Sequence, residues 1–356
     1  MTDPLGPGAT IGILGGGQLG RMLSVAASRL GFRCHIYDPG ADAPAADVAH
    51  RFTCAPYDDA AALGAFAAAC DVVTYEFENI PAAALDLIEA RVPVRPNRRA
   101  LEISQDRLSE KTFLRDLGLA TAPFAALDGP ADLGAALARV GLPAILKTRR
   151  LGYDGKGQAR IEAGDGVAEL ATLNAAPAIA EGFVRFSSEI SVIAARGLTG
   201  EVVCFDPGAN EHRNGILHKT TVPAPIPMAL ATDAVLLAAR ILNALEYIGV
   251  MGVELFVTDA GLVVNEVAPR VHNSGHWTQN ACAVDQFEQH IRAITGWPLG
   301  DGSRHADVVM ENLIGDDIRR VPDLARAPAT ALHLYGKASA RPGRKMGHVN
   351  RIVPRG

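Results

Sequence analysis

The sequence predicts an α/β chain in two parts, a parallel βαβ series followed by a mixed α+β body. Three observations point there. Short β-branched runs alternate with Ala/Leu-rich stretches from Thr10 to Ile103. Beyond them, strand-like runs are joined by glycine turns, the signature of antiparallel pairing. The 356 residues, 48% of them hydrophobic, are enough to bury cores for two or three domains.

Taken in order, TIGIL (10–14), RCHIYD (33–38) and DVVTYE (71–76) read as strands, with helices at Leu19–Leu30 and Tyr57–Ala69 between them. Such alternation implies a parallel sheet with helices on its faces. The proline-bearing VPVRPNRRA closes this unit, placed at residues 1–104. A helix at Asp106–Leu117 leads into a second unit, 105–185, with strands LPAILKT (142–148) and PAIAEGFV (177–184) around the glycine-dense RRLGYDGKGQARI. In the remaining unit, 186–356, SSEISVIAA and EVVCFDP read as antiparallel strands turning at Gly197–Gly200. Ala234, Leu237, Ala238, Ile241 and Leu245 form the apolar stripe of a helix over Asp233–Tyr247, with Gly249 as its expected stop.

A formal charge of -5 without any sustained Lys/Arg block argues against nucleic acid or an anionic membrane as partner. Five cysteines with no CxxC pair fit a reducing compartment. The N-terminus lacks a signal-peptide pattern and no apolar run approaches the ~20 residues of a spanning helix. A cytoplasmic protein is expected.

Gly15-x-Gly17-x-x-Gly20 follows the first strand and opens a helix, and Asp38 ends the next strand. This matches the dinucleotide-binding fingerprint, so a nicotinamide-dependent dehydrogenase is one reading. The physics requires less: glycines bring backbone N–H groups and a helix N-terminus close to some anionic or polar ligand. A different phosphate-bearing substrate fits better than a dinucleotide, and a tight turn alone is the structural alternative.

The chemistry concentrates further along. In GVELFVTDAGLVVNEVAPR, two apolar runs flank Asp259-Ala260-Gly261, a hairpin turn of the three-residue type. Glu254 and Glu266 are equally far from Ala260 and so face each other across the hairpin. Like charges so placed repel, and a divalent cation would relieve the conflict. Asn265 belongs to the opposite face, able to add an oxygen only if the strand end twists. Lys147 ends its strand where an ammonium can reach phosphate oxygens. The loop Gly152-Tyr153-Asp154-Gly155-Lys156-Gly157-Gln158 can fold over a triphosphate, though the GK[ST] ending of a Walker A motif is missing. Each feature alone has a plain structural reading; together they suggest a nucleotide site.

Lys147, the GYDGKGQ loop, EGFV at 181–184, Glu189 and the carboxylate pair running into NEVAPRVHNSGHWT resemble the ATP-grasp superfamily. GILGGGQLGRM, TYEFENIP, APRVHNSGHWTQN and GKASARPGRKMGHVN further resemble its purine carboxylases, the N5-carboxyaminoimidazole ribonucleotide synthases, over residues 11–354. That resemblance implies an ATP-grasp fold behind an N-terminal pre-ATP-grasp domain. Arg107 and Lys147 would contact ATP phosphates, residues 152–158 would form a lid, and the backbone of Glu181, Gly182, Phe183 and Val184 would meet the adenine edge. Glu189 would take the ribose hydroxyls, with His212 nearby. Glu254 and Glu266 would hold Mg²⁺ (or Mn²⁺), with Asn265 beside them.

For 5-aminoimidazole ribonucleotide, the resemblance implies a pocket lined by Gln18, Leu19, Glu76, Tyr153 and Asp154, with Lys337 and Arg344 on the substrate phosphate. Arg270, His272 and Asn273 would surround bicarbonate, which ATP activates as carboxyphosphate. Asp154 or Glu76 would orient the amine or take its proton. A homodimer is implied by analogy. The rival readings are a formate-dependent glycinamide ribonucleotide transformylase, the dehydrogenase, and a non-catalytic nucleotide-binding regulator.

Overall fold

The chain is described by a computed structural model covering residues 3–152, 156–173 and 177–353. Its strands fall into three sheets that follow one another along the sequence.

The first contains β1 (Thr10–Leu14), β2 (Arg33–Asp38), β3 (Arg51–Cys54) and β4 (Val72–Tyr75), all parallel in the order β3-β2-β1-β4. Helices α1 (Gln18–Arg29) and α2 (Ala60–Ala68) make the crossovers. The second helix starts later than the periodicity suggests because the Asp59 carboxylate caps it, accepting from the Ala62 N–H at 2.9 Å. Strand β3 was not anticipated: RFTC is an edge strand with no fully buried residue, so it lacks the apolar run that announces β1 and β4. Helices α3 (Ala82–Glu89) and α4 (Arg98–Ser104) follow.

Helix α5 (Arg107–Asp116) carries the chain into the second sheet. Its cap, Asp106, accepts from the N–H groups of Leu108 and Ser109 at 3.0 and 3.2 Å. The second sheet comprises β5 (Phe124–Leu127), β6 (Ala144–Thr148), β7 (Gln158–Ile161) and β8 (Ala178–Gly182), antiparallel in the order β5-β8-β6-β7. Helix α6 (Leu133–Val140) buries Leu133, Ala136, Leu137 and Val140 against this sheet. The short α7 (Val167–Ala171) joins the same core through Leu170.

Nine strands build the third sheet: β9 (Ser188–Arg196), β10 (Val202–Cys204), β11 (Gly208–Arg213), β12 (Ile216–Val222), β13 (Gly249–Thr258), β14 (Gly261–Ala268), β15 (Asp307–Ile314), β16 (Thr330–Leu334) and β17 (Lys345–Val353). The path runs β14-β13-β9-β11-β12-β15-β17-β16, with β10 beside β9. Helix α8 (Met228–Ala244) packs Ala234, Ala238, Ile241 and Leu242 against Val192, Ala194, Met251 and Val253. It begins five residues before the expected Asp233, at the end of the proline-rich VPAPIP. Gly249 is not its stop. The helix closes at Glu246, whose φ of +48° places it in the left-handed region while the Tyr247 N–H reaches back to the Leu242 carbonyl at 3.0 Å. Gly249, with φ +136°, opens β13 instead.

The β13–β14 hairpin departs from expectation in an instructive way. Its turn has two residues, since Thr258 pairs with Gly261, and that register alone would set Glu254 opposite Asn265. A β-bulge between Glu254 and Leu255 shifts the pairing by one, so Glu254 does stand opposite Glu266. Asn265 is the extra residue. Among the described residues no helix is long and apolar enough to cross a membrane.

Candidate active site

The three sheets meet around a cleft of about 540 Å³. Helix α5 runs along it, and the helical period presents Arg107, Glu110 and Lys111 on the side facing β14.

Glu254 and Glu266 lie side by side in this cleft. Glu254 is pushed up to about 7, first by burial and then by the charge of Glu266. Burial acts on Glu266 too, but the Arg107 guanidinium, 2.9 Å away, overrides it and holds that carboxyl well below the ordinary range. Asn265 was placed on the far face by its strand position. The bulge corrects this: its amide Nδ2 points at the Glu254 carboxylate, at 3.4 Å. Two carboxylates and an amide, with Glu254 left short of compensating charge, suit a divalent cation that also takes oxygens from a bound phosphate. Among the described residues no cluster of three or more His, Cys, Asp or Glu forms a self-sufficient metal site.

Lys147 lies beside Glu181, with Nζ 3.1 Å from Oε2. A second ammonium, Lys111, sits 3.4 Å from the same oxygen and donates to the Asn265 carbonyl at 2.6 Å. Glu181 Oε1 is buried and without a hydrogen-bond partner among the described residues. Such an orphaned acceptor has capacity for one more donor, from water or from a ligand. The backbone around it is largely committed: the Gly182 N–H donates to Pro123 at 2.8 Å and the Phe183 N–H to Pro143 at 2.9 Å. Of the backbone expected at the adenine edge, these two N–H groups are therefore spent within the protein, and Val184 offers the next donor. Its N–H has no partner among the described residues. Glu189 and His212 form an ion pair, with Nδ1 2.6 Å from Oε2. Burial would lower the histidine, but Glu189 outweighs it and the imidazole is raised above its ordinary value.

The glycine turn is filled from within. Glu76, at the end of β4, accepts from the N–H groups of Gly17 and Gly20 at 2.6 and 2.7 Å, and Asp38 accepts from Gly16 at 2.7 Å. A dinucleotide pyrophosphate would need those same donors. The dehydrogenase reading fails here. Gly20 stays small because a Cβ would come within 2.7 Å of the Gly15 carbonyl. Gln18, Leu19 and Glu76 nonetheless line the cleft, as a wall.

Arg270, His272 and Asn273 stand at the same wall. Arg270 is spoken for by a forked pair with Glu78, at 2.6 and 3.2 Å. His272 is pushed down to about 3 by burial and by Arg270, and its Nε2 lies 3.4 Å from Glu254. Asn273 Nδ2 is a buried donor without a partner among the described residues. In the loop, Gly152 and Gln158 reach the cleft lining, Gly157 accepts from the Thr148 N–H at 2.8 Å, and Lys156 follows the residues left undescribed. Tyr153, Asp154 and Gly155 lie outside the described residues.

Lys337 and Arg344 are braced within their own segment, on the Lys345 carbonyl at 2.7 Å and on Ser339 at 3.0 Å. The basic side chain that lines the cleft from this tail is Lys345, which the sequence reading left out of the site. Also missed were Lys111, Glu110, Glu78 and the Phe186–Phe256 stack, centroids 4.6 Å apart. None left a usable signal: Glu110 and Lys111 precede the buried Leu114 by one helical turn, but charged residues there are ordinarily solvated.

Comparison with known proteins agrees with this geometry. Residues 8–105 match the ribonucleotide synthetase preATP-grasp domain, 112–287 the ATP-grasp domain and 308–355 the phosphoribosylaminoimidazole carboxylase C-terminal domain. The N5-carboxyaminoimidazole ribonucleotide synthase of Brucella melitensis is 55% identical over 355 residues, covering 99% of this chain and 98% of its own. A crystal structure of an N5-carboxyaminoimidazole ribonucleotide synthetase in complex with ADP superposes with a TM-score of 0.96 at 42% identity, covering 99% and 94%. The Aspergillus clavatus synthase, solved with ADP and 5-aminoimidazole ribonucleotide, gives 0.91 at 30% identity, covering 98% and 94%. The chain belongs to the N5-carboxyaminoimidazole ribonucleotide synthases, within the ATP-grasp superfamily.

Proposed function

We propose that this chain carboxylates 5-aminoimidazole ribonucleotide at its exocyclic amine, using ATP and bicarbonate and releasing ADP and phosphate, in purine biosynthesis. One observation carries the reading. A single cleft joins the Glu254/Glu266 pair and Lys147 to the wall of Gln18, Leu19 and Glu76, so two ligands can share it.

Bicarbonate is a poor electrophile, and its oxygen must first displace ADP from the γ-phosphoryl group to give carboxyphosphate. Phosphoryl transfer depends on positioning and on charge neutralisation. Arg107 and Lys147 supply fixed positive charge for this. A Mg²⁺ ion held by Glu254 and Glu266 would neutralise phosphoryl oxygens. Asn273, whose Nδ2 has no partner among the described residues, and Arg270 would orient the bicarbonate. The substrate amine then attacks the carboxyl carbon, phosphate leaves, and the amine proton passes to Glu76 or Asp154. Burial raises Glu76 above the ordinary carboxylate range, which suits a group that accepts a proton. Gly152 and Gln158 mark where the loop meets the cleft, and closure there would keep water from the labile carboxyphosphate.

The same reading makes the protein a cytoplasmic homodimer on family resemblance, which light scattering and cell fractionation test. The decisive assay is ADP release with aminoimidazole ribonucleotide plus bicarbonate, compared with glycinamide ribonucleotide plus formate. Turnover on the first pair alone is expected; turnover on the second would reassign the enzyme to the transformylases.

A further inference from the structure

Lys111 is 1% exposed, yet it has no place in the chemistry above. Its ammonium reaches two elements that belong to different sheets. On β8 it meets Glu181 Oε2 at 3.4 Å; on β14 it donates to the carbonyls of Asn265 and Val264 at 2.6 and 3.5 Å. The Asn265 carbonyl is that of the bulge residue, flanked by Glu266. Burying a lysine is costly unless each of its three donors is used, so this geometry is an investment in position.

The consequence for Glu181 is directional. Lys147 and Lys111 both take Oε2 and leave Oε1 buried and unpartnered. A carboxylate free to rotate would share its charge between both oxygens. One oxygen pinned by two cations presents the other as a fixed acceptor. A fixed acceptor favours a base that offers an amino group and penalises one that offers a carbonyl, because two facing acceptors are left unpaired.

We propose that Lys111 is a positioning residue that ties the Glu181 carboxylate to the bulge of β14, setting the base-reading acceptor against the phosphate-side carboxylates and so enforcing preference for an amino-bearing purine nucleotide. This deepens the ATP reading above and rests on it. Lys147 alone cannot perform the role, since it lies on β6, the neighbour of β8 in the same sheet. Lys111 is the ammonium that spans the two sheets.

The test uses the full-length protein as Lys111→Met, Lys111→Arg and Glu181→Gln, with the Lys111→Met/Glu181→Gln double variant. The first readout is equilibrium binding of ADP and GDP by calorimetry, which does not require turnover. Wild type should bind ADP more tightly than GDP, and Lys111→Met should weaken ADP at least tenfold while narrowing the ADP:GDP ratio by a similar factor. Lys111→Arg should recover much of that ratio, since a guanidinium can reach both partners. The double variant should be no worse than Glu181→Gln alone, as required of a residue acting through another.

In turnover, the KM for ATP should rise while that for the ribonucleotide stays within twofold. An unchanged ADP:GDP ratio in Lys111→Met would overturn the proposal, as would additive losses in the double variant. If Lys111→Met does not fold, Lys111→Gln, which keeps a donor but removes the charge, decides: a narrowed ADP:GDP ratio supports the proposal, and an unchanged ratio with thermal stability intact refutes it. Wild type that binds ADP selectively but releases none on aminoimidazole ribonucleotide and bicarbonate would sink the function and leave this inference standing.

Discussion

Replacing Glu266 by glutamine should remove activity while leaving the fold as stable as before. Two structural terms oppose each other. The rise of Glu254 to about 7 marks a carboxylate whose charged form is held at a cost on the order of a few kcal/mol. Burial is the first cause and the charge of Glu266 the second; a screened like-charge contact of this kind costs on the order of 1 kcal/mol, which Glu266→Gln returns to the fold. Against this stands the lost ion pair with Arg107. Its side chains are 18% and 40% exposed, so solvent screening limits it to about 1 kcal/mol as well. The net change is close to zero, and the thermal midpoint should stay within about 3 °C. Turnover has no such compensation. A lost phosphate-side charge typically costs about 100-fold or more in kcat. A coupled ADP-release assay at saturating substrates, with calorimetric melting alongside, reads both quantities. ADP release within about tenfold of wild type would refute the assignment of this carboxylate, and a collapse in stability would refute the energetic balance.

Nucleotide affinity should depend on pH through Glu254. The carboxyl is protonated below about 7 in the free protein, so affinity for Mg-ADP should fall as pH drops through that value and level off above it, with proton release on binding seen by calorimetry in buffers of differing ionisation heat. Glu76→Gln should lower the thermal midpoint by about 3–6 °C, because one amide oxygen cannot accept from both Gly17 and Gly20 and a buried N–H is left at about 1–3 kcal/mol. An unchanged midpoint would mean that water fills the turn. Lys337→Ala combined with Arg344→Ala should raise the ribonucleotide KM far more than the KM for ATP; equal effects would leave Lys345 as the cation that meets the substrate phosphate.

The elements most legible in the sequence are those whose own residues dictate them. β1 and β2 fall on their β-branched runs, and the hairpin that carries Glu254 and Glu266 is announced by two apolar runs around a turn, although their opposition depends on a bulge that counting does not reveal. What escaped depends on partners distant in the chain. No local pattern tells that Glu76, 56 residues from Gly20, occupies the anion seat of the glycine turn. Nor does one show that Lys111 is buried, because the carboxylate that makes burial tolerable lies on β8. Asn265 was misplaced for a different reason: alternation assigns faces only in an unbroken ladder, and a bulge breaks it. In the tail, Lys345 rather than its two basic neighbours reaches the cleft because the pairing of β15 with β17 shifts at Ile314, opposite that lysine.

That same bulge bears on how this strand can vary. Removing Asn265 altogether would let Glu266 slide into the vacated place, where a two-residue turn already sets it opposite Glu254, and every pair beyond it would stay as it is. Changing its identity, by contrast, keeps the kink and alters only the amide beside the carboxylates. A single-codon deletion there therefore keeps both carboxylates paired and the rest of the ladder in register. The position is a built-in length dial, able to gain or lose one ligand atom without re-threading the largest sheet of the protein.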